Sequence, residues 1–471
     1  MKKIFVISLL LSLNLAAQTP DVRDHFKTAF DLYESGKYQD AIIEYSTYLV
    51  KNPDDEAAYY NRALAKYMMT DYKDALIDYN TSIEKGRKKF DAVYGKGLCW
   101  FYLKNYDDAI KEFDKSLAIN PSHGKSYIFK AAALHIQDKN KEALPIVNKG
   151  IELDPKYEWG YFYRSKIKFY TNDLKGALAD AQKSIEIKPN NEFYFQRGFV
   201  QLELKNYEAS VVDYDTVIKH NVKDADAWYN RGLCKLDLKK YEEAKFDFDK
   251  SIEINPTKSD AYHNRALCKY YLLSYKDAIT DFNAAIDLSP KFYKAYTYRG
   301  AALYHLKQYQ DALADLNKSI TIKKDYESSY YYRAMIKYML VNDTGAINDC
   351  NVALSYRKSY DTYLQRGLSK YQMKDYNGAL LDYDEAIKLN PKYARAFLER
   401  GICYYTQQID NMAIMEFTKA IEIKPDYGEA YYYRALSENY SGKKDESCKD
   451  FKKAIDFKYE KAAVKMAEVC K

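Results

Sequence analysis

A 34-residue period runs through this sequence and constrains its fold more than any other feature. The segment 225–258, ADAWYNRGLCKLDLKKYEEAKFDFDKSIEINPTK, shows the unit. Small and apolar residues recur at helical spacing, the pattern breaks at Lys239 and Lys240, and a second helical pattern runs to Pro256. Because a proline cannot continue a helix, each unit is predicted to be a hairpin of two antiparallel helices.

Thirteen such repeats follow one another without an intervening Gly/Ser-rich linker. They occupy residues 22–55, 56–89, 90–123, 124–157, 158–190, 191–224, 225–258, 259–292, 293–326, 327–359, 360–393, 394–427 and 428–461. Residues are numbered within each repeat from its first residue. The remaining segment, 462–471, is predicted to be a short amphipathic helix that caps the last hairpin, because a terminal repeat otherwise exposes an apolar face.

Two columns of small residues indicate how closely the helices approach. Position 8 is Ala, Gly or Ser in every repeat, and position 20 is Ala or Ser. A larger side chain at either position is expected to overpack the hairpin at a cost of about 1–3 kcal/mol. Pro145 falls inside the predicted second helix of repeat four, so we expect the main irregularity of the array in 124–157.

The period, the small columns and the closing proline resemble the tetratricopeptide repeat. One systematic departure is Arg231 and its equivalents at position 7, where that family usually has Leu. The resemblance implies an all-α fold, a right-handed superhelical α-solenoid whose concave surface is lined by the first helices. It also implies a function in binding protein or peptide partners.

Charged residues form two columns of opposite sign. Position 7 is Arg or Lys in every repeat except the first, which has Thr28, and position 23 is Asp or Glu in every repeat except the fourth, which has Ile146. Since the helices of a hairpin are antiparallel, we expect Arg–Asp pairs that recur along the solenoid. The alternative is that the arginine column binds an anionic ligand.

Aromatic residues dominate the first helices at positions 5 and 12, two helical turns apart, and the chain contains 51 Tyr. The candidate binding residues, called the aromatic stripe below, are Tyr60, Tyr67, Tyr94, Phe101, Phe162, Phe169, Phe195, Tyr229, Tyr270, Tyr304, Tyr331, Tyr338, Tyr371 and Tyr405. Either the stripe is an exposed groove that binds a peptide or a glycan, or it packs each first helix against the next. The Lys and Asn pattern with which some family members hold a terminal carboxylate is incomplete here.

The cysteines separate into two groups. Cys99, Cys234, Cys268 and Cys403 share position 10, too far apart for disulfides, and they are predicted to be buried packing residues, as is Cys350. Cys448 and Cys470 lie on the last hairpin and the capping helix, so a disulfide between them is plausible in an oxidising compartment. No metal-ligand spacing, nucleophile motif or phosphate-binding loop is present, which predicts neither a metal, nor a cofactor, nor a catalytic site.

The first residues have the layout of a secretory signal peptide. Lys2 and Lys3 precede an apolar run from Ile4 to Leu13, and Ala16 and Ala17 offer a cleavage site, so residues 1–18 are predicted to be removed. The apolar run is too short to span a membrane. Without Lys2 and Lys3, 71 basic residues face 67 acidic ones (73 − 2 against 67), and this mild, evenly distributed charge argues against nucleic-acid binding.

These observations predict an exported protein that is periplasmic, envelope-associated or secreted. Its predicted function is a non-catalytic interaction scaffold or assembly adaptor that holds partner segments in the concave groove. The alternative is a carbohydrate-binding or polymer-handling accessory protein that uses the tyrosines. Leader, repeats and cap account for the chain, so enzymatic activity would require a site grafted on the repeats.

Overall fold

The computed structural model describes residues 20–87 and 89–470, in which all regular structure is α-helical. The all-α fold class predicted from the period is therefore confirmed. The predicted signal peptide, residues 1–18, lies outside the described residues. The chain divides into two compact units, with the boundary between Cys234 and Lys235, and each unit is considered by itself.

Unit 1 consists of paired helices that follow one another along the chain. These are α1 (Pro20–Glu34), α2 (Tyr38–Lys51), α3 (Glu56–Met68), α4 (Tyr72–Glu84), α5 (Phe90–Tyr102), α6 (Tyr106–Ile119), α7 (Gly124–Ile136), α8 (Asn140–Leu153), α9 (Glu158–Tyr170), α10 (Leu174–Ile187), α11 (Asn191–Glu203), α12 (Tyr207–His220) and α13 (Ala225–Asp237), whose last residues pass the boundary. From α1 to α11, each helix packs against the helix that follows it. This is the arrangement that antiparallel hairpins stacked in a solenoid require.

Unit 2 continues the same alternation. It contains α14 (Tyr241–Ile254), α15 (Ser259–Tyr271), α16 (Tyr275–Leu288), α17 (Tyr293–His305), α18 (Tyr309–Ile322), α19 (Glu327–Met339), α20 (Asp343–Tyr356), α21 (Tyr360–Gln372), α22 (Tyr376–Leu389), α23 (Ala394–Thr406), α24 (Asp410–Ile423), α25 (Gly428–Tyr440), α26 (Lys444–Asp456) and α27 (Ala462–Val469). The short helix α27 packs on α26. Its Met466 and Val469 contact the buried cluster around Leu436 and Phe451.

Within a hairpin, the turn between the helices has one residue in the left-handed region at position 15. Gly36 and Gly442 occupy it in the first and last repeats, with φ of 79° and 78°. In repeat ten it is Val341, with φ of 60°. The amide N–H of Asn342 donates to the carbonyl of Lys337 at 2.8 Å, which is the hydrogen bond of a Schellman motif and closes the end of the first helix.

Val341→Asn is expected to stabilise the protein by about 1 kcal/mol, because a β-branched residue is strained in the left-handed region whereas Asn adopts it readily. Val341 is 84% exposed, so its replacement removes little buried area. Urea unfolding followed by circular dichroism measures the change. Lys307→Asn, in the equivalent turn with φ of 60°, is the matched control and should gain less; equal gains would contradict the explanation.

The small residues at position 8 exist because the ring at position 24 rests directly on them. A Cβ atom added to Gly401 would lie 2.6 Å from a ring carbon of Phe417, and one added to Gly367 would lie 2.6 Å from the ring of Tyr383. Both rings are fully buried. The predicted close approach of the two helices at position 8 is therefore confirmed.

Repeat four is irregular in its packing, although its helices are not interrupted. Helix α8 continues through Pro145, which removes one backbone donor near the start of the helix. A Cβ on Gly150 would lie 2.9 Å from the carbonyl oxygen of Gly124, so α7 and α8 touch through their backbones. Ile146 packs partly buried against the apolar cluster that contains Ile128, and this contact replaces the acid found at position 23 elsewhere.

Candidate functional site

The aromatic stripe lies on the first helices, and its members differ in accessibility. Tyr60, Tyr94, Phe101 and Phe162 are buried. Burial removes these four rings from any surface that a partner could contact. The other ten are half-buried and none is fully exposed: Tyr67, Phe169, Phe195, Tyr229, Tyr270, Tyr304, Tyr331, Tyr338, Tyr371 and Tyr405.

The rings at position 12 contact position 13 of the following repeat. The Tyr371 hydroxyl lies 2.7 Å from the hydroxyl of Thr406, and the Tyr270 hydroxyl lies 3.1 Å from Nε2 of His305. In unit 1, the rings of Tyr67 and Tyr102 pack edge to face with centroids 5.9 Å apart. These rings therefore join neighbouring repeats and also present one side to solvent, so the two sequence-based interpretations of the stripe are not exclusive.

The hydroxyls of Tyr270, Tyr304 and Tyr371 are neutral hydrogen-bonding groups at physiological pH. Burial, chiefly, raises the pKa of Tyr270 to about 12, and burial is also the main reason that the pKa values of Tyr304 and Tyr371 are raised. A neutral phenol can donate and accept hydrogen bonds while its ring supplies apolar contact area. The stripe is thus suited to an amphipathic ligand rather than to a strongly charged one.

Position 13 contributes exposed apolar side chains that the sequence interpretation did not include. Exposed members are Ile136, Tyr170, Tyr271, Met339 and Tyr440. They stand in the last turn of the first helix, directly beside the stripe. The sequence contains a signal for them, because position 13 is Met, Ile or Tyr in seven of the thirteen repeats. The period does not show, however, which side of the last turn faces solvent.

The predicted Arg–Asp pairs are confirmed, and they form a ladder on another face of the hairpins. In eight repeats the arginine Nε and Nη2 atoms donate to both carboxylate oxygens of the acid at position 23: Arg62–Asp78, Arg164–Asp180, Arg197–Asp213, Arg265–Asp281, Arg299–Asp315, Arg333–Asp349, Arg366–Asp382 and Arg434–Asp450. Arg400 reaches Glu416 through Nη2 alone, at 2.7 Å. The acids are buried, so these pairs are largely shielded from solvent.

Each ladder arginine also reaches the preceding repeat, a contact that the sequence interpretation missed. In repeat eight, Nη1 of Arg265 donates to Asp249, at position 25 of repeat seven, at 2.7 Å. Equivalent contacts join Arg299 to Asn283, Arg333 to Asn317, Arg366 to Asn351 and Arg434 to Thr418. The column of short polar residues at position 25 is visible in the sequence and could have indicated these links.

A lysine at position 11 adds a third charge to many rungs. Ion pairs of 2.7–2.9 Å connect Lys66 to Asp78, Lys168 to Asp180, Lys235 to Asp247, Lys269 to Asp281, Lys337 to Asp349 and Lys370 to Asp382. The arginine is in addition stacked on the aromatic ring at position 4, as Arg333 is on Tyr330 at 5.4 Å. The guanidinium N–H donors of these rungs already have partners within the protein. No pair of free N–H groups is left to bind an anion, which argues against the alternative that the arginine column holds an anionic ligand.

The two repeats that lack one member of the charged pair form other contacts in its place. In repeat one, where Thr28 replaces the base, Nδ1 of His25 lies 2.6 Å from Glu44, the acid of that repeat. In repeat four, Lys130 donates to Asp114 of repeat three at 2.6 Å. The ladder is therefore maintained between repeats three and four, although the acid within repeat four is absent.

The cysteines behave in two ways. A disulfide joins Cys448 to Cys470, with Cα atoms 5.8 Å apart, and links α26 to the end of α27. Cys99, Cys234, Cys268, Cys350 and Cys403 are free and buried, as predicted. Across 20–87 and 89–470, no group of three or more His, Cys, Asp or Glu side chains is arranged to hold a metal ion.

In the part of the chain that the structure describes, no helix combines the length and the apolar character that a bilayer span requires.

Sequence models of the tetratricopeptide repeat match several parts of the chain. They cover residues 26–86, 90–123, 225–258 and 264–327, and a further TPR repeat model covers residues 367–408. These matches confirm that the chain contains tetratricopeptide repeats. A comparison with curated proteins found no significant match.

Solved structures of other helical-repeat proteins are similar to this chain. The Cut9–Hcn1 hetero-tetramer of APC/C matches with 16% identity over 88% of this chain and 90% of that one, with a TM-score of 0.48. A tetratricopeptide repeat protein from Parabacteroides merdae matches with 18% identity over 53% and 99%, with a TM-score of 0.46. Yeast Tom70 matches with 15% identity over 83% and 96%, with a TM-score of 0.40.

Proposed function

We propose that this chain of tetratricopeptide repeats is a non-catalytic scaffold or assembly adaptor in the cell envelope, and that it binds segments of partner proteins along the aromatic stripe. The observation that carries the proposal is the half-buried state of the position-12 tyrosines. Contacts with the following repeat hold several of these rings, which nevertheless remain half-buried: Tyr67, Tyr270, Tyr338, Tyr371 and Tyr405. Solenoids of these repeats are generally protein–protein interaction scaffolds and typically non-catalytic.

Immobilised rings favour peptide binding for an energetic reason. Ordering a rotamer-rich side chain on binding costs about 0.5–1.5 kcal/mol, and the stripe residues are already ordered by contacts such as that between Tyr371 and Thr406. A repeated spacing of aromatic rings also suits an extended chain, whose side chains recur at a regular interval. The exposed position-13 residues, including Met339, extend this surface at its edge.

The proposed location rests on the leader and on the disulfide. Residues 1–18 have the layout of a secretory signal, and the Cys448–Cys470 bond is of the kind that persists in oxidising compartments. Protein isolated from cells after acid quenching should begin after residue 18, and alkylation should label Cys448 and Cys470 only after reduction. Intact mass spectrometry measures both, and a full-length chain with both thiols free would contradict export.

Cross-linking in intact cells, followed by mass spectrometry, tests the scaffold function. The double variant Tyr304→Leu with Tyr338→Leu keeps apolar volume but removes two rings of the stripe, and partner capture should fall at least about fivefold. Tyr296→Leu with Tyr330→Leu is the matched control, since these position-4 rings of the same repeats stack on ladder arginines. Equal capture by both variants would contradict binding along the stripe.

A second candidate function is recognition of a carbohydrate or another polymer. It is favoured by exposed rings such as Tyr170 and Tyr440, which are 62% and 68% exposed and could stack on sugar faces. In that case the cross-linking experiment would return no reproducible protein partner. Retention on an insoluble glycan, lost in the Tyr170→Ala and Tyr440→Ala variants, would then identify this function.

A further inference from the structure

Five consecutive repeats of unit 2 have a tyrosine at position 12 of the first helix. Each of these rings is half-buried, and the residue that follows it, at position 13, is exposed. The position-12 tyrosines are Tyr270, Tyr304, Tyr338, Tyr371 and Tyr405, and the position-13 residues are Tyr271, His305, Met339, Gln372 and Thr406. In unit 1 the column changes to His135 and Leu202 in two repeats, and Phe101 is buried. Unit 2 therefore has the uninterrupted series.

Contacts with the next repeat leave some hydrogen-bonding capacity on this surface. The side-chain amide of Gln372 donates to the Tyr338 hydroxyl at 3.3 Å. Because that hydroxyl accepts the hydrogen bond, its own O–H can still donate, and the amide keeps a second N–H. Gln372 is exposed. A ligand that lies along the tyrosines can therefore place hydrogen-bond acceptors against these two groups.

The surface formed by positions 12 and 13 is uncharged. None of its ten side chains is acidic or basic except His305, and burial lowers the pKa of His305, so the imidazole is neutral at physiological pH. Lys337, at position 11 beside the surface, is paired with Asp349 of the ladder at 2.7 Å. The best ligand is therefore uncharged, with apolar groups for the rings and acceptors for the O–H and N–H groups.

The distance between repeats sets the period that such a ligand needs. Successive first helices from α15 to α25 contact each other, and helices in contact have axes about 8–10 Å apart. A polyproline II helix has three residues per turn and rises about 3.1 Å per residue, so the same face recurs about every 9.3 Å. Every third residue would thus meet the next tyrosine, and about 13 residues would reach all five.

Other regular conformations match this surface less well. Side chains on one face of a β-strand recur about every 6.6 Å, and every third residue points to the opposite face. An α-helix repeats a face after about seven residues, or about 10.5 Å, but its carbonyl groups are already bonded within the helix. A polyproline II helix has no internal hydrogen bonds, so its carbonyl groups can accept from Tyr338 and Gln372.

We propose that the position-12 tyrosines of unit 2 bind a proline-rich partner segment in the polyproline II conformation, with a proline at every third residue against a tyrosine ring. The inference rests on the proposed function, since it assumes that a partner segment lies along the stripe. Proline suits the surface because it is uncharged, fixes its own φ near the polyproline II value and has no N–H that would lose a partner on burial. Grooves lined by aromatic rings bind such preformed segments in other folds.

Fluorescence anisotropy with labelled, end-blocked pentadecapeptides tests the inference. The probe consists of five Pro-Ala-Gln triplets. The first control has the same composition, but its five prolines are consecutive and five Ala-Gln pairs follow them. The probe should bind at least about tenfold more tightly, because consecutive prolines reach only part of the tyrosine series. The second control, five Leu-Ala-Gln triplets, keeps the apolar period without the preformed conformation and should also bind at least about tenfold more weakly.

Two variants examine the surface itself. Tyr304→Leu with Tyr338→Leu removes two adjacent rings and should weaken binding of the probe at least about tenfold. Gln372→Leu removes one donor at an exposed position and keeps every ring, so it should weaken binding about fivefold, as expected for one hydrogen bond. Tyr296→Leu with Tyr330→Leu, at position 4 on the ladder arginines, is the matched control and should bind the probe as the unmodified protein does.

Several outcomes would contradict the inference. Binding of either control peptide as tightly as the probe would overturn it. Unchanged binding of the probe by the Tyr304/Tyr338 variant would also overturn it; circular dichroism checks the fold, and Gln372→Leu provides the test if that variant is unfolded. If the probe does not bind but partner capture in cells still falls in the Tyr304/Tyr338 variant, the inference is wrong and the scaffold proposal stands. If the probe does not bind and capture is unchanged, both are wrong.

Discussion

Asp281→Ala is expected to lower the free energy of unfolding of the protein by about 3 kcal/mol. Asp281 is 3% exposed and accepts hydrogen bonds from Nε and Nη2 of Arg265 and from the Lys269 ammonium. Its removal leaves two partly buried cations without their shared counter-ion, and an uncompensated buried charge is far more costly than the pair itself is stabilising. Urea unfolding followed by circular dichroism measures the loss.

Two control variants distinguish the effect of losing a buried ion pair from the effect of losing any negative charge. Asp249→Ala removes the second carboxylate on Arg265, but Asp249 is 46% exposed, so the cost should be about 0–1 kcal/mol. The triple variant Arg265→Lys, Lys269→Leu and Asp281→Ile gives repeat eight the residues that repeat four has at these positions, Lys130, Leu134 and Ile146. It should recover most of the lost stability; a triple variant as unstable as Asp281→Ala would contradict the explanation.

The last rung of the ladder predicts a pH-dependent stability. At position 11, where six other repeats have a lysine, repeat thirteen has Glu438, which is 8% exposed and has a buried oxygen without a partner. Arg434 donates to Asp450 at 2.5 Å, while its Nε is 4.0 Å from Glu438. Burial, followed by the negative charge of Asp450, raises the pKa of Glu438 to about 7, and Arg434 only partly opposes the shift.

The sign of the effect follows from proton binding. Because the pKa of Glu438 is higher in the folded state than the ordinary 4.5, the folded protein binds this proton more tightly than the unfolded chain. The stabilisation is fully present below pH 4.5 and is lost as the pH rises to about 7. The expected loss is about 2–3 kcal/mol across that interval.

Two substitutions isolate this residue from the other titrating groups. In the Glu438→Gln variant, the free energy of unfolding should no longer show the fall between pH 5 and pH 8 that Glu438 causes in the unmodified protein. Glu438→Lys should form a Lys–Asp450 ion pair like those of other rungs and stabilise the protein at pH 8. Hydrogen exchange of α25 and α26 at both pH values, with urea unfolding as a second measurement, detects the change. Parallel pH profiles for the unmodified protein and Glu438→Gln would exclude Glu438 as the cause.

Much of the fold could be predicted from the residues because the relevant interactions are local or repeated. The helical spacing of small and apolar residues and the prolines that end repeats, such as Pro256 and Pro391, specify hairpins without reference to distant parts of the chain. The pairing of position 7 with position 23, as in Arg333 and Asp349, could be deduced because both residues lie in one hairpin. Because the same positions recur in each repeat, the same pairing could be predicted for the other hairpins.

Contacts between repeats were harder to predict because they depend on the rotation from one hairpin to the next. The link from Arg333 to Asn317 at position 25 and the contact between Tyr371 and Thr406 both cross that junction. The period gives the length of a repeat, but it does not give the angle at which repeats stack. The burial of Tyr60 and Phe162, compared with the half-buried Tyr371, has the same origin.

By itself, the sequence determined the helical hairpins, the small columns at their interfaces and the oppositely charged residues that pair inside them, since each follows from helix geometry over a few tens of residues. Only the tertiary structure decided which stripe residues remain accessible, which neighbour completes each arginine, and that Glu438 is a buried carboxylate with an inadequate counter-ion. Those properties depend on how much solvent the adjacent repeat excludes, and solvent exclusion depends on packing in three dimensions.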